Sequence, residues 1–178
     1  AGTMDEGDGD SRGYNLSTGF KLGTNGFLRL THSFRDQDET NRAASPGIDE
    51  LFEVGPEDPW VQANPSLGMR IGQPNVTSSD ITYNSKLPLE GNVELYSYGG
   101  LQYRNGRTFG MYRMPYWIPD PHNIYHDEGE PYNGFHPTFD TDIFDNTIVV
   151  GTRGQKRGWN FDVSQVFGSN AVDYTVHE

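Results

Sequence analysis

Thr147-Ile148-Val149-Val150-Gly151-Thr152-Arg153-Gly154-Gln155-Lys156-Arg157-Gly158-Trp159-Asn160-Phe161-Asp162-Val163-Ser164-Gln165-Val166-Phe167-Gly168 decides the fold. After Gly158, Trp159, Phe161, Val163, Gln165 and Phe167 alternate with Asn160, Asp162, Ser164, Val166 and Gly168. Before Gly154, Ile148, Val150 and Thr152 alternate with Thr147, Val149, Gly151 and Arg153. A period of two places successive side chains on opposite faces of an extended strand. The Gly-bounded segment Gly154-Gln155-Lys156-Arg157-Gly158 supplies turn chemistry between the two runs. The stretch therefore reads as a β-hairpin, within a unit that spans about 146–176.

The same pattern recurs twice upstream. In the unit about 14–35, Tyr14, Leu16, Thr18, Phe20 and Leu22 share one face, and after Gly23-Thr24-Asn25-Gly26 Leu28, Leu30, His32 and Phe34 alternate with Arg29, Thr31, Ser33 and Arg35. In the unit about 79–104, Ile81, Tyr83, Ser85 and Leu87 lead to Pro88-Leu89-Glu90-Gly91-Asn92, and Val93, Leu95, Ser97, Gly99, Leu101 and Tyr103 return. Between units lie two long acidic connections rich in Pro and Gly, about 36–78 and 105–145. Connections beyond about 12–15 residues are uncommon in compact domains unless they serve a function.

Composition agrees with short-turned strands. The 178 residues include 22 Gly, 10 Tyr, 10 Phe and 3 Trp, and only 33% are apolar. That mixture suits strands and Gly-rich turns, where a helical bundle would need Leu and Ala. A net charge of -12 argues against a nucleic-acid partner, since phosphate backbones are repelled. Without cysteine there is no disulfide framework and no thiolate metal site. No run of about 18 apolar residues forms a transmembrane helix, but a β-barrel carries only an alternating signal. Ala1-Gly2-Thr3-Met4-Asp5 is not a signal peptide, so either a leader is removed or the chain begins inside a longer protein.

Short turns at one end and long loops at the other form the asymmetry of outer-membrane barrels. Trp159 and Phe27 follow turns directly, where an aromatic girdle is expected. The polar face carries Lys21, Arg29, Arg35, Lys86, Glu94, Arg153 and Asp162. Such charges are costly against lipid and tolerable against a wet or plugged lumen. The same alternation also describes a soluble antiparallel sheet with one face on a core.

Two stretches resemble the barrel of TonB-dependent receptors. In 14–42, YNLSTGFKLGTNGFLRLTHSFRDQDETNR, a strand near a Gly turn precedes a strand closing on Arg35-Asp36 and then Asn41-Arg42. In 132–176, Gly134-Phe135-His136-Pro137 precedes Asp142, the strand 147–153, and Gly158-Trp159-Asn160-Phe161-Asp162-Val163-Ser164. LQYRNGRTFGMYRMP, 101–115, resembles a mid-barrel strand rising into an external loop. The resemblance implies an all-β fold: an antiparallel up-and-down transmembrane β-barrel segment of about six strands in three hairpins, a single partial barrel domain over 1–178. A full member has about 22 strands around a plug. About six are legible here, with no plug or TonB box, and closed single-chain barrels begin at eight.

The expectation is thus a piece of a bacterial outer-membrane receptor that takes up a scarce solute of siderophore, cobalamin or oligosaccharide class. Its partners would be outer-membrane lipid, the remaining strands and plug, and a small-molecule or oligosaccharide ligand. TonB would be reached only through parts outside this chain. No cofactor and no enzymatic activity are expected.

Loop residues carry the candidate sites. Trp60, Tyr116 and Trp117 could stack on a sugar ring or flat solute, or simply pack the loops together. His122, His126, Asp127 and Glu128, with His136 nearby, form the densest group of possible metal ligands; Pro119 and Pro121 make this a loop, and a metal-free surface loop is the plainer reading. His122 and His126 remain as ligand-binding candidates. Asp8-Gly9-Asp10-Ser11-Arg12-Gly13 begins like a calcium loop and fails at Arg12 and Gly19. Asp140, Asp142 and Asp145 would have to supply any glycoside-cleaving pair, and nothing fixes their separation. Two other functions compete: a soluble secreted β-sandwich binding carbohydrate through Trp60, Tyr116 and Trp117, and a hydrolase using the Asp140–Asp145 acids.

Overall fold

The computed structural model describes residues 1–43, 57–63, 70–115 and 117–177. Six antiparallel strands follow one another across a single open sheet: β1 (Ser11–Leu22), β2 (Gly26–Gln37), β3 (Asn75–Leu89), β4 (Val93–Phe109), β5 (Thr138–Lys156) and β6 (Trp159–His177). Each strand pairs with its neighbour in sequence, and β1 does not meet β6. A five-residue helix, α1 (Pro59–Ala63), lies in the β2–β3 connection.

The three hairpins have the expected faces and reach further than the alternation alone defines. The second begins at Asn75 and ends at Phe109; the third begins at Thr138. The added residues are polar on one face and broken by Gly106, so their hydrophobic period is weak while their backbone ladder continues. The third turn is only Arg157-Gly158, between the paired Lys156 and Trp159. Both residues have positive φ, 50° and 84°, which matches the right-handed twist of the flanking strands.

Register places the apolar positions of all six strands on one side. At mid-height, Leu30 pairs with Thr18 and Tyr83, Gly99 pairs with Tyr83 and Ile148, and Ile148 pairs with Phe167. Nothing among the described residues covers this side: Leu101 is 60% exposed and Phe167 61%. Among the described residues the buried apolar side chains are Val61, Met114 and Val149, and none of them lies on the apolar side of the sheet.

Several polar side chains on this apolar side are bonded within the sheet. With the Ser97 proton on the Val149 carbonyl at 2.8 Å, Tyr83 donates to Ser97 Oγ at 2.7 Å. Ser85 donates to the Ser97 carbonyl at 2.9 Å. His32 bonds Ser79 through Nε2 at 3.0 Å, and Asn146 donates to Ser169.

The apolar side ends at an aromatic row. Tyr14 stacks on Phe34 at 5.7 Å and Tyr103 meets Phe144 at 4.7 Å, all at one height. Above that row the polarity of the sheet reverses. The formerly apolar side carries Arg12, Asp36, Asn105, Asp142 and Asp173. The opposite side becomes apolar on β5 and β6, with Phe139, Ile143, Val172, Tyr174 and Val176. At the turn end Trp159 projects from the apolar side, 79% exposed. Phe27 pairs with Lys21 and Lys86 and so lies on the polar side; it does not share Trp159's face as a girdle residue would.

Candidate functional site

The long connections meet at the end of the sheet opposite the turns. The base of the first is a backbone ribbon: Thr40 N–H donates to the Gln73 carbonyl at 3.1 Å, and Arg42 N–H to the Ile71 carbonyl at 2.6 Å. Gly72 is needed there, because a Cβ would come within 2.2 Å of the Thr40 carbonyl. Arg42 also holds Asp8 through both guanidinium nitrogens, at 2.6 and 2.9 Å. That bond, with the Asn41 N–H, lowers the Asp8 carboxyl to about 2. An arginine clasp therefore answers the acidic opening of the calcium-like stretch.

Asp58 caps α1, accepting from Trp60 N–H at 2.9 Å and Val61 N–H at 3.1 Å. The cap directs Trp60 onto the second connection, where its ring lies 5.6 Å from Tyr112. Tyr112 continues to His136 at 5.9 Å, and His136 to Phe109 at 5.0 Å. Arg70 lies 4.5 Å over Phe109. The two connections thus share one aromatic layer, and each also carries a buried apolar residue, Val61 in the first and Met114 in the second. His136 Nε2 donates to the Gly110 carbonyl at 2.9 Å. Burial pushes this imidazole below its ordinary value, the carbonyl acts in the opposite direction, and Arg70 adds to the lowering.

The outer half of the second connection has its own order. Asp120, with its side chain 1% exposed, accepts from Ile124 N–H at 2.8 Å, Tyr125 N–H at 2.7 Å and His126 Nδ1 at 2.8 Å. Burial raises its pKa, but those donors outweigh burial and the net shift is downward. Tyr125 stacks on Phe135 at 4.4 Å, and Tyr132 donates to the Ile118 carbonyl at 2.6 Å.

The sequence candidates fare differently. Trp60 packs between the connections. Trp117 is 45% exposed, with Arg113 5.6 Å over its ring. Tyr116 lies outside the described residues. His126 is committed to Asp120, while His122 is exposed. No group of three or more His, Asp or Glu among the described residues is placed to hold a metal.

The three acids divide two to one. Asp140 and Asp142 lie on one side of β5, and Asp145, three residues on, lies on the other. Asp140 pairs with Arg107 at 2.6 Å, Asp142 accepts from Tyr103 at 2.6 Å, and Asp145 accepts from Asn170 at 2.6 Å. Asp140 and Asp142 are each bonded to a side chain of β4, and Asp145 faces away from both.

Near the turns, the polar side holds a charged group whose members were legible only as isolated charges. Glu94 accepts from Arg153 at 2.5 Å and faces Lys86 at 3.5 Å. Tyr96 lies over Gly151, where a Cβ would stand 2.4 Å from its ring, and donates to Asp162 at 2.6 Å. Tyr112, Phe109 and Arg70 were missed as site residues because only the fold brings them together. Comparison with known protein families, curated proteins and solved structures gives no match.

Proposed function

We propose that this chain is a wall segment of a bacterial outer-membrane β-barrel, in a receptor of the TonB-dependent class that takes up a scarce solute. The observation that carries the reading is the uncovered apolar side on which Tyr83, Ser85, Ser97 and His32 find hydrogen-bond partners within the sheet. A hydroxyl moved into hydrocarbon without a partner costs roughly 4–8 kcal/mol, so a lipid-facing strand tolerates Ser97 or Tyr83 only when both are satisfied. A water-facing sheet has no such requirement.

Dimensions support it. From Phe161 to Ala171 along β6 is about 34 Å of extended chain, which at a tilt of about 40° spans a band close to the ~25 Å apolar height of outer-membrane barrels. The Tyr14–Phe34 and Tyr103–Phe144 row then lies at the outer interface and Trp159 at the inner one. The open edges of β1 and β6 call for further strands, since unpaired backbone in lipid is very costly. The packed connections face outward, and Trp117 is the exposed aromatic available to a siderophore, cobalamin or oligosaccharide.

The chain has no native cysteine, so single cysteines can carry spin labels without background. Labels at Leu16, Leu101 and Phe167 should collide readily with oxygen in the bilayer. Labels at Ser17, Thr82 and Gly168 should meet a water-soluble nickel reagent instead. If the first set is inaccessible to both reagents, that side is sealed inside a soluble sandwich and the receptor reading fails.

A further inference from the structure

On the polar side, Gly13, Arg35, Ser78, Arg104, Ile143 and Val172 form one continuous row across the six strands. Arg35 and Arg104 flank Ser78, with backbones about 9.6 Å apart at ordinary strand spacing. Both are exposed and neither has a carboxylate partner among the described residues. Arg12, Arg42, Arg70, Arg107 and Arg153 are each paired with an acid, whereas Arg29, Arg113 and Arg157 also lack one among the described residues but stand apart from this row.

Arg35 is nevertheless oriented. Its guanidinium donates to the Gln37 side-chain carbonyl, and the Gln37 amide donates to Gln73. Gln37 is 7% exposed, so the acceptor is fixed and neutral. The charge is positioned without being cancelled. Gly13 beside Arg35 and Gly106 above Arg104 offer no side chain to screen it. Asp80, in the row below between Ser33 and Gln102, confines an anion to the upper side of the pair.

Apolar surface begins directly beyond Arg104. Ile143 is its register partner, Val172 follows, and Tyr174 is 70% exposed in the next row. We propose that Arg35, Ser78 and Arg104 form a binding site for a carboxylate-bearing solute whose apolar body rests on Ile143, Val172 and Tyr174. The planar guanidinium fork suits a carboxylate, which two arginines can hold from either side. The site rests on the receptor reading, in which this side lines the barrel interior.

Benzoate is the probe, titrated into the receptor that carries this wall, in detergent micelles, with arginine Nε–H and methyl resonances followed by NMR. Arg35, Arg104, Ile143 and Val172 should shift together and saturably, and acetate should bind more weakly for want of an apolar body. Arg104→Gln should weaken benzoate by at least about tenfold, since a charge-assisted bond is lost. Arg157→Gln, at the far turn, should leave the affinity unchanged. No saturable shift, an equal effect of Arg157→Gln, or guanidinium groups already bonded to an acid of an interior domain would overturn the site. Spin labels on Leu101 read the receptor proposal separately, so oxygen access there with no benzoate binding removes the site alone.

Discussion

Tyr83 Oη and Ser97 Oγ lie 2.7 Å apart on the side of the sheet that carries the leucines, and Ser97 passes its own proton to the Val149 carbonyl. Two hydroxyls among apolar neighbours are thereby self-sufficient. Their behaviour on mutation depends on what surrounds them, which makes the pair a sensitive probe.

Ser97→Ala should destabilise the protein by about 1–3 kcal/mol in lipid vesicles, because the Tyr83 hydroxyl is left without its acceptor. Adding Tyr83→Phe should recover much of the loss, since removing both partners is nearly neutral. Guanidinium unfolding of the refolded protein measures both. Equal losses for the single and double variants would show that the hydroxyl bond is not what stabilises this side.

A cation placed by parity should report the lipid. Ile148→Arg, at mid-height on the apolar side, is expected to cost about 2–4 kcal/mol at the bilayer midplane. Thr147→Arg, the next residue on the polar side, should cost less than about 1 kcal/mol. The same unfolding assay compares them, and equal costs would contradict the assignment of faces.

Arg157 occupies a left-handed conformation at φ 50° in the two-residue turn before Gly158. A side chain other than Gly or Asn is strained there. Arg157→Asn should raise stability by roughly 0.5–1 kcal/mol, since Asn-Gly is the favoured pair for this turn. A shift of the denaturation midpoint at constant slope measures it.

Acid should loosen the layer joining the two connections. Burial holds the His136 imidazole below its ordinary 6.5. The folded state therefore binds fewer protons than the unfolded chain between the depressed value and 6.5, and stability rises with pH across that window. The contribution is complete above pH 6.5 and is lost as pH falls through the folded value. Protection factors of residues 109–113, which already allow for the slower intrinsic exchange in acid, should fall in mild acid, and His136→Gln should flatten that dependence. Trp60 fluorescence gives a second readout, through its contact with Tyr112.

The strands were legible because Phe161, Val163 and Phe167, or Leu28 and Leu30, repeat every second residue beside Gly-rich turns. The ends were not. Arg107, Asp140 and Asp142 carry no hydrophobic period, yet β4 and β5 continue through them because backbone ladders do not need one. The loop site was less legible still. Trp60 stood out as an aromatic, but its partner is Tyr112, which resembled a strand residue rising into a loop, and the neighbouring Arg70–Phe109 contact spans 39 positions in sequence.

Sequence alone determined the three hairpins, which side of each strand is apolar, and the inequality between short turns and long connections, because strand parity and turn chemistry are local. Tertiary structure decided what those sides contain. Register sets Arg35 and Arg104 around Ser78 and satisfies Tyr83 with Ser97, and loop packing joins two distant connections through Trp60 and Tyr112. These are relations across strands and between connections, and pairing is a property of the assembled sheet that no single segment encodes.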